Sequence, residues 1–442
     1  MFNRSAYNSD DPSGNGGPTH QQPRRRKFWE VIKEHPLARL GPGLITGVAD
    51  DDPSGIATYS QAGAQFGLNM LWTMPLTFPL MSAIQLMCAQ IGRVTGKGLA
   101  ANIKAAFPAS VLKVVVVLVL IANTLNIAAD VAAMGEVAEL VTGINRHVMT
   151  ALFVIATLML QILVPYHVYV NYLKWLTLSL LAYAAVLFTV HVSWGDVVSH
   201  TVWPRMAVSR DAAMLVVGVF GTTISPYLFF WQASEEVEDM RGAPPLLANP
   251  GAAQAELRRL RWDTWSGMFY SNISAYFIIL ATAVTLYASG IRDINTAAQA
   301  ATALKPLAGT FAFMLFALGI LGVGMIGVPV LAGSAGYALC EAMDWNWGLE
   351  RKSTDARGFY GVIAVSVLAG LAIQYSPISP MKALVWSAVI NGVVADPLTA
   401  IITLLAARRT VMGNFVLSTP YIMLGWLTTL VMGLAAVGMF AL

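Results

Sequence analysis

Residues 41–67 read GPGLITGVADDDPSGIATYSQAGAQFG, and the fold follows from how this stretch is read. Both flanks are apolar enough to enter a bilayer, yet the middle holds three consecutive carboxylates, Asp50, Asp51 and Asp52, with Pro53 directly after them. One carboxylate at the bilayer centre costs at least about 2.5–3.5 kcal/mol on insertion scales. Three must therefore face water, a cation or one another; a helix cap at a break accounts for one of them. The proline removes a ladder hydrogen bond and displaces the carbonyl one turn earlier, which frees backbone oxygens at mid-membrane.

The anomaly recurs at residues 218–239, GVFGTTISPYLFFWQASEEVED, where Pro226 lies beside Thr222, Thr223 and Ser225. Around the two stretches the chain is apolar almost throughout. Of its 442 residues 56% are hydrophobic and 12% charged, with a mean hydropathy of +0.62, too few charges to solvate a globule of this length. Apolar runs predict eleven spans, at about 40–66, 69–92, 110–140, 147–165, 171–192, 212–238, 264–289, 307–342, 357–376, 380–407 and 414–441. The broken stretches are the first and the sixth. Five crossings separate them, so spans 1–5 and 6–10 (about 40–192 and 212–407) form a 5+5 inverted repeat with an extra helix at about 414–441, the organisation of transporters whose site lies at unwound helices. The expected fold class is an all-α polytopic membrane protein.

Basic residues set the expected orientation. Residues 1–38 are polar, rich in Gly, Pro, Asn, Gln and Ser, and carry the run Arg24, Arg25, Arg26, Lys27, which reads as a disordered, headgroup-facing cytoplasmic segment rather than a nucleic-acid-binding one. No apolar segment with a small-residue cleavage site precedes the first span, so no cleavable signal peptide is expected. With the N-terminus cytoplasmic, 21 of the 27 Lys and Arg fall inside, which predicts a multi-pass protein of the cell inner (plasma) membrane, C-terminus external. Within the long connection at 239–263, residues 252–263 read as a short surface helix.

Polar residues inside other spans mark a candidate site or path. Asn123, Asn126 and Asp130 lie at i, i+3 and i+7 on one face of the third span. The asparagines read equally well as interhelical hydrogen-bonding groups, whereas Asp130 reads as lining an ion or proton path. In the tenth span Asn391 and Asp396 are five residues apart and cannot face one point on a regular helix, so Asn391 is the candidate ligand and Asp396 a cavity-lining or pairing group. Thr222, Thr223 and Ser225 offer hydroxyls or carbonyls at the second break, while Gln232 serves packing as readily as a path. Glu235, Glu236, Glu238 and Asp239 read as a solvated face. Cys88 and Cys340 lack metal or redox spacing and read as core. The available donors are hard oxygens, which suit Mg²⁺, Ca²⁺ or Mn²⁺.

These residues resemble the Nramp (natural-resistance-associated macrophage protein) family of divalent metal transporters. The likeness rests on residues 41–72, GPGLITGVADDDPSGIATYSQAGAQFGLNMLW, beside that family's Asp-Pro-Gly-Asn and Gln-Ala-Gly-Ala segments. It continues through IAADVAAMGE (127–136) and GTTISPYLFFWQ (221–232). The resemblance implies a leucine-transporter-like fold in residues 39–442. It places the family's metal-binding aspartate at Asp52, its asparagine at Gly55, its carbonyl donor at Thr222 and its methionine at Ser225. Its third-span aspartate falls on Asp130 and the glutamate after it on Ala133; its sixth-span histidines fall on Tyr227 and Gln232. The missing methionine resembles the branch of Nramp-related magnesium transporters.

The expected function is transport of a hard divalent cation, Mg²⁺ first and Mn²⁺ second, by alternating access and without tight proton coupling. Asp52, Asp51, Gly55, Thr222, Ser225 and Asn391 form the expected site; Asp50, Asn123, Asn126, Asp130, Tyr227, Gln232 and Asp396 form the expected path. The cation is the cargo and no cofactor is expected; the bilayer is the one other partner. Three rivals are a proton-coupled Mn²⁺/Fe²⁺ transporter, a carrier of an amino acid or osmolyte on the same fold, and a membrane ion sensor. No nucleophile, base and oxyanion set and no phosphate-binding loop supports an enzyme.

Overall fold

A computed structural model of the chain describes residues 42–164, 168, 179–205, 209–240, 242–349, 351–373 and 379–442. The polar segment 1–38 and residues 171–178 of the fifth expected span lie outside the described residues; the described part of that span holds a short helix at Leu181–Val186. Every regular element among the described residues is helical. The first span is two half-helices, α1 (Pro42–Asp50) and α2 (Pro53–Phe66), and then come α3 (Thr73–Thr95), α4 (Ala109–Thr142) and α5 (Arg146–Leu163). The sixth span is likewise divided, into α6 (Arg210–Thr223) and α7 (Pro226–Asp239). After it follow α8 (Ala253–Thr282), α9 (Ala312–Met343), α10 (Arg357–Ile373), α11 (Pro380–Ala407) and α12 (Thr419–Ala441).

Eight helical stretches among the described residues are long and apolar enough to cross a bilayer. The first span, divided into pieces of 9 and 14 residues, is not among them because three consecutive aspartates at its middle lower its apolarity, whereas the equally divided sixth span carries no charge at its break. One boundary differs from expectation in kind: the surface helix expected at 252–263 is no separate element. Arg258, Arg259 and Arg261 continue without interruption into the apolar part of α8, 30 residues long, because no Pro divides the two parts and the lone Gly267 is tolerated inside a helix.

Burial is inverted relative to a water-soluble protein. Leu427, Leu430, Leu434 and Val437 of α12 are exposed along one face, whereas the aspartates of the first break are at most 1% exposed. An exposed apolar face and a buried polar centre are what a lipid solvent selects. Small residues bring the helices together: a Cβ on Gly47 of α1 would fall 2.1 Å from the Gly267 carbonyl oxygen of α8, and one on Gly327 of α9 would fall 3.1 Å from the Asp52 Cβ. The first break is thereby pressed between α8 and α9, as small residues permit in membrane helix packing.

Candidate functional site

Two prolines build the site. Pro53 has no N–H to offer the Ala49 carbonyl and Pro226 none for the Thr222 carbonyl, four residues earlier in each case. Each freed oxygen is met by a hydroxyl: Tyr227 Oη donates to Ala49 O at 3.0 Å, and Ser225 Oγ donates to Thr222 O at 2.7 Å, shared with Gly221 O at 2.9 Å. The sixth span's break therefore caps the first span's carbonyl as well as its own.

At the first break Asp52 is the N-cap of α2. Its Oδ1 accepts from the Gly55 N–H at 2.7 Å and from Ser54 Oγ at 2.9 Å, and its Oδ2 accepts from Asn126 Nδ2 at 2.8 Å. This N-capping follows from sequence: an aspartate immediately before a proline at the first helical position satisfies one of the orphan donors. The two breaks touch at Gly55, where a Cβ would lie 3.0 Å from Thr222 Oγ1, 3.3 Å from the Tyr59 ring and 3.5 Å from the Asp50 carbonyl oxygen.

Asp50 and Asp51 turn the other way, toward α8. Ser271 donates to Asp50 Oδ2 and lies 3.2 Å from Asp51 Oδ1; Asp50 Oδ1 and Asp51 Oδ2 have no hydrogen-bond partner. Among the described residues no three acidic, imidazole or thiol groups converge on one point, so one ion here would meet at most two carboxylates, with neutral oxygens completing its shell.

The remaining expected residues divide into those at the breaks and those elsewhere. Asn126 and Asp130 are fully buried on the face of α4 that meets the break, and the neighbours of Asp130 are Asp52 and the Ser54 N–H. Asn123, a turn earlier, donates to the Leu331 carbonyl of α9 at 3.0 Å. Asn391 is buried with neither amide atom partnered. It sits on the turn of α11 that abuts the second break, where a Cβ on Gly221 would fall 2.0 Å from the Ala388 carbonyl oxygen. Gln232 is not at the breaks: its Oε1 accepts from Thr46 Oγ1 at 2.5 Å and its Nε2 donates to Glu236. Asp396 faces α12, 3.3 Å from the Cβ position of Gly433.

Sequence reasoning passed over two groups. Ser271 gave no signal beyond being one of three small polar residues, with Asn272 and Ser274, in an apolar helix. The acidic end of α7 is a solvated face only in part: Asp239 is exposed, but Glu236 is buried and paired with Arg259 at 2.7 Å, and Glu238 accepts from Tyr337 Oη at 2.6 Å and the Leu349 N–H at 2.9 Å. Glu256 extends the pairing, 3.3 Å from Arg259 and 3.1 Å from Arg93 of α3.

Comparison with known proteins agrees with this geometry. Residues 43–442 match the family described as natural resistance-associated macrophage protein-like. The chain is similar to the divalent metal cation transporter MntH of Acidiphilium cryptum, 26% identical over 411 residues, 86% of this chain and 84% of that one. It is also similar to the MntH of Erwinia tasmaniensis, 28% identical over 296 residues, 65% of this chain and 68% of that one. Among solved structures, the manganese transporter of Eremococcus coleocola superposes with a TM-score of 0.71 at 17% identity, covering 95% of this chain and 88% of that one. Mhp1, a nucleobase-cation-symport-1 family transporter, superposes with a TM-score of 0.52 at 13% identity, covering 90% and 92%. The leucine-transporter-like architecture with broken first and sixth helices is the fold of this chain. By a match that runs from the first half-helix to the last residue, the chain belongs to the natural resistance-associated macrophage protein-like family of membrane transporters, and it is not an enzyme.

Proposed function

We infer that this protein carries a hard divalent cation through the membrane by alternating access at the two touching breaks, Mg²⁺ ahead of Mn²⁺ and without tight proton coupling. The observation that carries this reading is the chemistry of the donors. Asp52 and Asp51 supply charge; the Thr222 carbonyl, Ser225 and Asn391 supply neutral oxygen or amide groups, and Gly55 stands where the family has its asparagine. No thioether or thiol stands among them, and a set of hard oxygens suits Mg²⁺. The relatives described as divalent metal cation transporters support the cargo class, and the manganese transporter keeps Mn²⁺ in contention.

The cation would pass between the breaks and the charged end of α7, where the Lys and Arg excess argues for the cytoplasm, with the N-terminus inside, the C-terminus outside and the chain in the inner membrane. Asn123, Asn126, Asp130, Tyr227 and Gln232 border this route, whereas Asp396 of α11 is set apart, facing α12. The test is uptake of Mg²⁺, Mn²⁺ and Ca²⁺ side by side into liposomes reconstituted with the purified chain. Faster Mg²⁺ than Mn²⁺ entry at equal concentration supports the order given; Mn²⁺ entry with no Mg²⁺ entry overturns it.

A further inference from the structure

Buried negative groups at the first break outnumber their partners. Asp50, Asp51, Asp52 and Asp130 are each at most 1% exposed, and among the described residues none of the four is ion-paired with Lys, Arg or His. They divide by direction. Asp52 is directed toward α4 and α9, with Asp130 as its neighbour; Asp50 and Asp51 are directed toward Ser271 of α8.

On the α8 side the hydrogen count is short. Ser271 lies against both carboxylates but has a single hydroxyl hydrogen, so one of the two contacts joins an acceptor to an acceptor. Ser274, a turn later and also near Asp51, donates its hydrogen to the Tyr270 carbonyl at 3.0 Å, and the other oxygen of each carboxylate, Asp50 Oδ1 and Asp51 Oδ2, has no hydrogen bond of good geometry in a space closed to water. Independently of the aspartates, the fully buried Tyr59 hydroxyl has no hydrogen bond of good geometry. It lies in the field of Asp50 foremost and Asp51 next, with Thr222 as its polar neighbour. Two like charges and two idle oxygens in one dry place are strongly unfavourable unless a proton or a metal cation joins them, and four hard oxygen donors suit the metal.

We propose that Asp50, Asp51, Ser271 and Tyr59 form a second position for a divalent cation, on the α8 side of the first break and beside the position at Asp52. This deepens the transport reading above and rests on it. Two divalent ions neutralise four carboxylates, two on each side; a single ion leaves one pair uncompensated. All the donors are hard oxygens, as at the first position. Asp51 follows Asp50 and precedes Asp52, so it is the carboxylate of the second position nearest the first along the chain. Asp50 ends α1, so the second position is the next one along that half-helix toward Thr46 and Gln232.

The experiment is a Mn²⁺ titration of the purified full chain, read by electron paramagnetic resonance as the equivalents of ion removed from the free aqueous signal. Wild type takes up two equivalents per chain, and their proximity broadens the bound spectrum. Asp50→Asn, close in shape and lacking the charge, takes up one and loses the broadening. Ser271→Ala, which alters no charge and tests the same position should Asp50→Asn not fold, weakens one equivalent about tenfold through the loss of one hydroxyl donor. A single equivalent in wild type overturns the second position while leaving the transport reading intact. Two equivalents with undiminished broadening in both Asp50→Asn and Ser271→Ala overturn it as well. No Mn²⁺ uptake by wild type overturns the second position and Mn²⁺ as a cargo, and leaves Mg²⁺ transport to the liposome assay.

Discussion

Replacing Asp52 tests the site most directly, because the structure separates what its shape does from what its charge does. In Asp52→Ala the Gly55 N–H loses its cap, worth about 1 kcal/mol, and the fully buried Asn126 amide loses its acceptor, worth about 1–3 kcal/mol. The summed cost, about 2–4 kcal/mol, is a fraction of a typical native stability of about 5–15 kcal/mol, so the protein remains folded with a lowered unfolding temperature. The cargo loses more. Removing one charge from a buried ionic contact costs about 3–5 kcal/mol, or roughly two to four orders of magnitude in affinity. Asp52→Asn divides the two effects: its amide oxygen still caps Gly55, so it is the more stable variant, yet it transports as poorly as alanine. The assay is the Mn²⁺ concentration giving half-maximal uptake into proteoliposomes of equal protein density, beside thermal unfolding of the same preparations. A half-saturation near wild type in either folded variant would show that Asp52 only builds the break and that the ion lies elsewhere.

Three further outcomes are expected. Ser225→Met supplies a softer donor and at the same time removes the hydroxyl that occupies the Thr222 carbonyl, so the Mn²⁺ to Mg²⁺ uptake ratio rises; an unchanged ratio means Ser225 does not face the ion. Metal entry does not acidify the vesicle lumen, because the positions that resemble the family's proton-carrying residues hold Ala133, Tyr227 and Gln232; a trapped pH dye that reports acidification tracking Mn²⁺ entry, lost in Asp130→Asn, refutes this. Arg259→Ala leaves the buried Glu236 without its cation and destabilises the protein by about 3 kcal/mol, the low end for a buried pair because Arg259 is itself 34% exposed; Arg259→Ala combined with Glu236→Gln recovers most of that loss in thermal unfolding, and no recovery means that the pair is not what holds α7 to α8.

How legible the site was depended on the range of the interaction. Pro53 and Pro226 announced both breaks, since a proline's effect reaches only one turn along its own helix. The face shared by Asn126 and Asp130 followed from helical spacing, and the cap at Asp52 from its place before a proline. Ser271 was not legible: a serine in an apolar helix is ordinary, and what sets it apart is that α8 lies against α1 at Gly47 and Gly267, a contact between residues 220 positions apart. The acidic end of α7 was misread for the same reason, because its partner Arg259 lies on another helix. Asp396 was correctly separated from Asn391 by the helical angle, but its direction toward α12 depended on a helix whose packing has no trace in the tenth span.

The hydroxyl that closes the first break has a consequence for synthesis. Tyr227 follows Ala49 by 178 residues, and Ser271 follows Asp50 by 221. At roughly 5–20 residues per second, the first span waits on the order of 10–40 s before the groups that donate to its bare carbonyl and to Asp50 and Asp51 emerge from the ribosome. During that interval Ala49, Asp50 and Asp51 lack those partners inside the lipid. A ribosome-bound chain halted after the fifth span should therefore hold residues 49–51 accessible to a water-borne thiol reagent when a cysteine is placed there, and the accessibility should vanish once the seventh span has entered the membrane.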